Sequence, residues 1–363
     1  MENNKKTIAL TGGGTLWHVV PLAAVFNFLK EESKYNFIWV WEEGGWEQEM
    51  ARTHKIKFYD ISAGKIRRYF SLRNFYEPLK NLTGIFQGLG LISKHNIDIV
   101  FSKGWYVSLP LCIAAWMRRK KIYIHESDVK NGLANRLIAK IATKVFYTFE
   151  NPLTIENHPK HILSGQILNP ELIDYLKNLD VAQNEKLTVM VMAGSQGSTR
   201  IFENLLKVLP HVPDMVFHIV LWDKNMHFRD RFKAFPNTLV HDVITQKRLG
   251  KILKNIDVAI TRWGATSLWE LTAFGIHSMI IPITIAWDHQ IHNAEYFAQR
   301  YGSDILDETQ DLDEQLLKKL MSYATLRKSG LNLDNFFEPL QIIKEHIEWE
   351  LPHSKLDDIA ANS

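Results

Sequence analysis

Short, continuously apolar runs recur along the chain and alternate with stretches of helical spacing. In the first half they are Thr7–Thr11, Asn36–Trp41, Asp98–Phe101, Lys121–His125 and Lys144–Thr148. In the second half they are Thr188–Met192, Val216–Leu221, Thr238–Val240, Asp257–Thr261 and Ser278–Ile283. A strand with one wet face alternates apolar and polar residues, whereas a parallel strand covered on both faces does not. Helical patterns such as Leu133–Ala142, Thr199–Leu209 and Ser267–Phe274 lie between the runs. The expectation is an α/β fold.

The two halves open alike. Thr7–Thr11 runs into Gly12-Gly13-Gly14, and Thr188–Met192 runs into Ala193-Gly194-Ser195-Gln196-Gly197. Two strand–glycine turn–helix units imply two doubly wound domains facing each other across a cleft. The boundaries expected are 1–164 and 165–335, with an amphipathic stretch at 336–350 packing back on the first domain. The uncharged segment from Thr7 to Leu29 has the length of a membrane span. Gly12, Gly13, Gly14, His18 and Pro21 give it a poor composition for that role, and it reads as strand, turn and a helix starting near Pro21. Cys112 is the single cysteine, so no internal disulfide forms, which fits a reducing compartment. A net charge of +3 is too mild to imply nucleic acid, although a local basic patch can still meet anionic lipid. Eleven Trp and nineteen Phe suit either a cleft for sugar or lipid, or simply additional core.

Several loops carry residues with chemical capacity. The first glycine turn is not a dinucleotide fingerprint, because that pattern needs glycine where Trp17 stands. It still offers backbone N–H groups to an anion. His18, just past the turn, is placed to act as a general base or simply to cap the helix. The stretch from Thr261 to Glu270 runs from a buried strand through a small-residue loop into a helix. Backbone N–H groups at Ala265, Thr266 and Ser267 would face a phosphate, and Glu270, one turn on, could take both hydroxyls of a ribose. The alternative for Glu270 is an ordinary first-turn glutamate favoured by the helix dipole. Asp288-His289-Gln290 with Asn293 offers amide, imidazole and carboxylate groups suited to sugar hydroxyls. His289 and His292 lack the third strong ligand that a metal would need. Asp311-Leu312-Asp313 reads as a helix cap.

These motifs, in order, resemble the MurG family. They are Gly12-Gly13-Gly14-Thr15 with His18, Phe101-Ser102-Lys103-Gly104 with Tyr106-Val107-Ser108, His125-Glu126-Ser127-Asp128 and Gly132-Leu133-Ala134-Asn135. They continue with Gly194-Ser195-Gln196-Gly197, Arg262 with Gly264-Ala265 and Glu270, and His289-Gln290 with Asn293-Ala294. The resemblance runs from about Thr7 to about Tyr301. It implies a GT-B fold and an inverting transfer of N-acetylglucosamine from UDP-N-acetylglucosamine to lipid I, without a catalytic metal or other cofactor. It also implies a peripheral place on the cytoplasmic face of the membrane.

On that resemblance the second domain binds donor. Glu270 holds the ribose and Ile244 approaches the uracil through its backbone. Ser195, Ala265, Thr266 and Ser267 face the diphosphate, Gln196, Arg262 and Gly264 are further donor-binding residues, and His289, Gln290 and Asn293 read the sugar. The first domain holds acceptor, with Gly13, Gly14, Thr15, Tyr106 and Asn135 around it. His18 is the candidate base, with Glu126 and Asp128 as the other catalytic candidates. Leu16, Trp17, Trp105 and Trp263 depart from small residues of the family pattern, and Gly165-Gln166-Ile167-Leu168-Asn169 lacks the Pro and Arg of its interdomain motif. At least two of the rings of Trp17, Trp105 and Trp263 are expected to meet at the cleft and shift acceptor choice. Two basic–aromatic clusters are expected at an anionic membrane. One has Lys65, Arg67, Arg68 and Arg73 around Tyr69, Phe70, Leu72, Phe75 and Tyr76; the other has Trp116 beside Arg118, Arg119, Lys120 and Lys121. Rival readings are a glycolipid transferase with another lipid acceptor, a UDP-sugar epimerase on the same fold, and a non-catalytic UDP-sugar binder.

Overall fold

The computed structural model describes residues 5–13, 16–42, 46–65, 76–150, 158–177, 184–193, 198–242, 244, 246–262, 264–282, 288–326 and 338–349. Its first sheet is built from β1 (Lys6–Thr11), β2 (Tyr35–Trp41), β3 (Lys57–Asp60), β4 (Ile97–Ser102), β5 (Lys121–Glu126), β6 (Lys144–Tyr147) and β7 (His161–Leu163), in the order β3-β2-β1-β4-β5-β6-β7. The connecting helices are α1 (Leu16–Lys30), α2 (Trp46–Thr53), α3 (Glu77–Lys94), α4 (Ser108–Met117) and α5 (Leu133–Ile141). After α6 (Pro170–Lys177) the second sheet takes β8 (Thr188–Met192), β9 (Val216–Val220), β10 (Thr238–His241), β11 (Val258–Thr261), β12 (His277–Ile280) and β13 (Asp304–Ile305), in the order β10-β9-β8-β11-β12-β13. Its helices are α7 (Thr199–Val208), α8 (Arg229–Lys233), α9 (Gln246–Leu253), α10 (Ala265–Ala273), α11 (Asp288–Tyr301) and α12 (Leu312–Ser322), and α13 (Pro339–Trp349) follows.

Every strand pair in both sheets is parallel. The molecule is therefore α/β with two doubly wound halves, as the apolar runs imply. Strand order reverses beside β1 in one sheet and beside β8 in the other. Loops at such switch points line the ligand crevice of an open α/β sheet. They are the loops after β1, β4, β8 and β11, which hold most of the motif residues.

Three strands escape the sequence reading: β3, β7 and β13. All are short, each ends its sheet, and their residues are half-buried or exposed, so no continuous apolar run marks them. The start of α1 is a correction. The helix begins at Leu16 rather than near Pro21, and Pro21 lies inside it. A proline there removes one i→i−4 bond but is tolerated close to the first turn.

Two glycines of the first turn are fixed by packing. Gly12 has φ +124°, and a Cβ there would sit 2.7 Å from the Lys103 backbone nitrogen; one on Gly13 would overlap the buried Trp41 indole. The turn is thus clamped between the loop after β4 and the end of β2.

The halves are joined through their cores. Phe149 follows β6 yet its ring packs among Trp269, Tyr296 and Phe297 of the second half, at centroid distances of 5.4, 4.7 and 6.0 Å. From the other end, Ile343 and Ile347 of α13 are buried in the first core. Lys344 of α13 pairs with Glu32, and the Tyr123 hydroxyl donates to the His346 carbonyl at 3.4 Å.

Candidate active site

On the first domain, the loops after β4 and β5 build one buried polar cluster. Lys103 is 3% exposed. Its ammonium donates to His125 Nδ1 at 2.7 Å and to the Ser127 hydroxyl. His125 Nε2 faces the Gly165 carbonyl at 3.0 Å, which fixes the tautomer: Nε2 carries the proton and donates, while Nδ1 accepts. Burial and the Lys103 charge hold the His125 pKa well below the ordinary imidazole range.

Glu126, at the end of β5, is also buried. One carboxylate oxygen accepts from the Asp128 backbone N–H at 3.0 Å and the other from the Asn135 amide at 2.6 Å. The Asn135 oxygen in turn accepts from the Trp105 backbone N–H at 3.1 Å. Burial, and then the neighbouring Asp128 charge, push the Glu126 pKa up; burial pulls the Lys103 pKa down against the attraction of both carboxylates. Burial thus draws the proton affinities of Glu126 and Lys103 toward one another, a pattern found at sites that handle protons. Tyr106 points its hydroxyl at Glu42, at 2.9 Å.

Trp105 has φ +73°, directly after Gly104 at +86°. A tryptophan in left-handed backbone is strained. Its ring lies 5.9 Å from that of Tyr106 and 5.5 Å from the Lys65 ammonium. Trp263 and the side chain of Trp17, the other two rings expected at the cleft, lie outside the described residues.

The second domain is arranged differently. β11 leads through Arg262 and Gly264 into α10, whose first turn, Ala265, Thr266 and Ser267, is buried. No side chain caps this helix start. The backbone N–H groups of its first turn therefore have no intrahelical acceptor and favour an anion. Glu270 follows one turn later and is 1% exposed. Neither carboxylate oxygen has a hydrogen-bond partner among the described residues. Burial pushes its pKa up to about 8. An ordinary first-turn glutamate would be solvated, so the bland reading fails. A buried carboxylate with two open oxygens is built to receive paired hydroxyl donors.

Arg262 is tied down. Its guanidinium pairs with Glu308 at 2.7 Å, donates to the Ile281 carbonyl at 3.1 Å and reaches the Ser198 hydroxyl at the start of α7. It ties the start of α7 to the end of β12 and to Glu308. Asn293 also departs from its expected role. It is fully buried, and both ends of its amide are engaged on the first domain: the oxygen accepts from the Val129 N–H at 2.8 Å and the nitrogen donates to Asp128 at 2.9 Å. The structure makes it an interdomain clasp, not an open sugar reader. Ile244 is half-buried against the second domain's core.

Other expected residues are not placed. Gly14, Thr15, Ser195 and Gln196, and the side chains of His18, His289 and Gln290, lie outside the described residues. His292 pairs with Glu295 at 3.1 Å. Asp311 stands at the N-cap of α12 without a side-chain cap bond, and Asp313 pairs with Lys207 at 3.0 Å. The sequence reading assigned no role to Lys103, His125, Ser127 or Gln166. Lys103, His125 and Ser127 stand within motifs of the family resemblance, and Gln166 in the interdomain segment, but nothing in the sequence shows that they bond to one another.

Residues 8–147 match the glycosyltransferase family 28 N-terminal domain and residues 188–332 its C-terminal domain. The chain is 33% identical over 333 residues to a Clostridium kluyveri protein named UDP-N-acetylglucosamine–N-acetylmuramyl-(pentapeptide) pyrophosphoryl-undecaprenol N-acetylglucosamine transferase, covering 90% of this chain and 94% of that one. A Clostridium botulinum protein of the same name is 33% identical over 326 residues, covering 87% and 90%. Among solved structures, Acinetobacter baumannii MurG superposes with a TM-score of 0.74 at 20% identity, over 95% of this chain and 99% of that chain. A UDP-GlcNAc 2-epimerase from Neisseria meningitidis superposes with a TM-score of 0.69 at 13% identity, over 95% and 100%. At these identities the two structures speak for the fold alone.

Proposed function

The chain belongs to glycosyltransferase family 28 and within it to the MurG family, and from that premise we propose that it moves N-acetylglucosamine from UDP-N-acetylglucosamine to lipid I, making lipid II for peptidoglycan. The observation that carries the donor half is Glu270, whose two buried oxygens have no hydrogen-bond partner among the described residues, one turn after a helix start that no described side chain caps. A ribose diol beside a diphosphate answers both needs. The whole-chain likeness at 33% identity is to transferases, whereas the epimerase likeness is one of fold only.

The reaction is one in-line displacement that inverts the anomeric centre. The bond from the acceptor oxygen to the anomeric carbon forms as the bond to UDP breaks. The acceptor's proton passes to a base, for which His18, just past the first glycine turn, is the candidate. The charge left on UDP meets the N–H groups at the start of α10. Glu126, with both oxygens bonded to Asp128 and Asn135, supports the acceptor-side loop from within, and Asp128 remains a candidate for contact with acceptor.

A membrane face supports the lipid acceptor. α3 packs on α4 through Gly84 and Gly88, where an added Cβ would crowd Pro110 and Ala114, and turns Leu79, Leu82 and Phe86 outward. Tyr76, before α3, and Trp116 and Met117, at the end of α4 and followed by Arg118 and Arg119, are exposed as well. Residues 66–75 of the first expected cluster lie outside the described residues. Among the described residues, no helix is long and apolar enough to cross a membrane. The exposed residues of α3 and the end of α4 dock on an anionic bilayer surface, each cation adding about 1 kcal/mol near the headgroups.

The deciding experiment incubates the protein with radiolabelled UDP-N-acetylglucosamine and either lipid I or other lipid acceptors. Label in the lipid I product supports the proposal. Epimerised sugar nucleotide, or binding without turnover, overturns it. Sedimentation with anionic liposomes at low salt tests the docking face, and failure to sediment overturns that part.

A further inference from the structure

Gln166 lies in the segment joining the two domains, where the family's Pro and Arg are missing, and it is 1% exposed. All four of its amide's hydrogen-bonding positions are used. Its oxygen accepts from the Ser127 hydroxyl at 3.1 Å and from the Thr148 hydroxyl at 3.0 Å. Its nitrogen donates to the Ile167 carbonyl and to the Thr266 hydroxyl, both at 3.3 Å. Two hydroxyl donors on one side and two acceptors on the other leave the amide one orientation.

The bonds form a directed chain. Lys103 donates to Ser127, Ser127 donates to Gln166, and Gln166 donates across the domain boundary to Thr266. One end lies in the loops that carry Glu126 and Asp128. The other is the first turn of α10, four residues before Glu270. Asn293 holds the domains together at a second point, through Asp128 and Val129. Two buried contacts fix a rotation that one contact would leave free.

We propose that Gln166 is a positioning residue for group transfer: it sets the register between the acceptor-side loop of Glu126 and Asp128 and the donor-side helix start at Thr266. The inference rests on the transferase reading given above. It predicts a particular division of effects. Donor contacts lie wholly within the second domain, so donor affinity does not need the register. Turnover does, because the acceptor oxygen must meet the anomeric carbon in line, and a misplacement of about 1 Å can cost roughly a hundredfold.

The test compares wild type, Gln166→Leu and Ser127→Ala in transfer to lipid I at saturating substrates, with UDP affinity measured by calorimetry. Ser127→Ala removes a single hydroxyl and decides the matter if Gln166→Leu does not fold. The expected result is a loss of roughly ten- to a hundredfold in kcat with UDP affinity within about twofold of wild type. The double variant should lose no more than the worse single variant, since the two residues act in one chain. Unchanged kcat in both variants overturns the inference while leaving the transferase reading intact. So does a fall in UDP affinity that matches the fall in kcat, because Gln166 then only supports the donor fold. A wild-type protein that binds UDP-N-acetylglucosamine without transferring it overturns both readings, and the wild-type lane alone shows which has failed.

Discussion

Glu126 and Glu270 are buried carboxylates, one in each domain, and their surroundings differ in kind. Glu126 holds two hydrogen-bond donors and has a buried lysine in its field. Glu270 has no donor among the described residues. The loops follow the same division. The one after β4 carries consecutive left-handed residues at Gly104 and Trp105, whereas Gly264 after β11 is relaxed at φ −58°. The Glu126 carboxylate is therefore satisfied by protein donors and lies beside strained backbone at Trp105. Glu270 keeps both carboxylate oxygens unbonded among the described residues. Substitutions on the acceptor side should accordingly cost stability, and those on the donor side should cost affinity.

The largest effect should come from Lys103→Met. It removes a buried ammonium, leaves His125 Nδ1 and the Ser127 hydroxyl without their donor, and strips compensating charge from two carboxylates. Removing one partner of a buried charged network costs about 3–5 kcal/mol. Chemical denaturation should show a loss of that order, with UDP affinity intact at temperatures where the variant stays folded. A stable variant with weakened UDP binding would reverse the comparison.

Glu270→Ala should do the opposite. Each charged hydrogen bond to a ribose hydroxyl contributes about 1.5–3 kcal/mol. Donor affinity should fall by roughly ten- to a hundredfold or more while the unliganded protein stays as stable as wild type. Unchanged UDP affinity in calorimetry would remove Glu270 from the site.

A smaller effect follows from protonation. The pKa of Glu270 stands at about 8 in the folded protein, against an ordinary value of 4.5. The folded state thus holds this proton more tightly than the unfolded chain. The resulting stabilisation is fully present below pH 4.5 and is lost as pH rises through about 8. Glu270→Gln has no such proton to lose, so its melting temperature should gain on wild type steadily across that window. UDP binding needs the ionised carboxylate as acceptor, so at pH 7 it should release close to one proton. Calorimetry in buffers of different ionisation enthalpy reads this directly, and no proton release would mean that the diol is held elsewhere.

What was legible in the chain follows from where each signal resides. Central strands announce themselves because burial on both faces demands apolar runs, and the ligand loops sit at the ends of those runs. Glu270 was legible by its offset from the helix start. The acceptor-side network was not, because its bonds join distant positions: Lys103 to Ser127, Ser127 to Gln166, and Gln166 to Thr266 a hundred residues on. Arg262 reads as a donor-binding residue, and its pairing with Glu308 was not visible in the sequence. Asn293 reads as a sugar contact until its amide is found on the other domain. Polar residues at a strand end look alike in sequence whether they face a ligand or one another.

Trp105 carries the smallest expected change and the sharpest question about the strained side. Left-handed backbone costs a non-glycine residue about 1–2 kcal/mol. The ring recovers part of this against Tyr106 and over the Lys65 ammonium, where an exposed cation–π contact contributes about 0.5–1 kcal/mol. Trp105→Gly relieves the strain and deletes those contacts together, so its net effect on stability should lie within about 1 kcal/mol of zero. Trp105→Ala keeps the strain without the ring and should be the less stable of the two variants by about 1 kcal/mol. A glycine variant that loses far more would make the ring ordinary core. Near-neutral stability would mean that the strain is maintained for something other than folding. On a loop shared with Tyr106 and bonded to Asn135, contact with the proposed acceptor is the role to test. Trp105→Gly should then change the ratio of transfer to lipid I and to other lipid acceptors, measured side by side, while UDP affinity stays fixed. A constant ratio would leave the tryptophan without a role in acceptor choice.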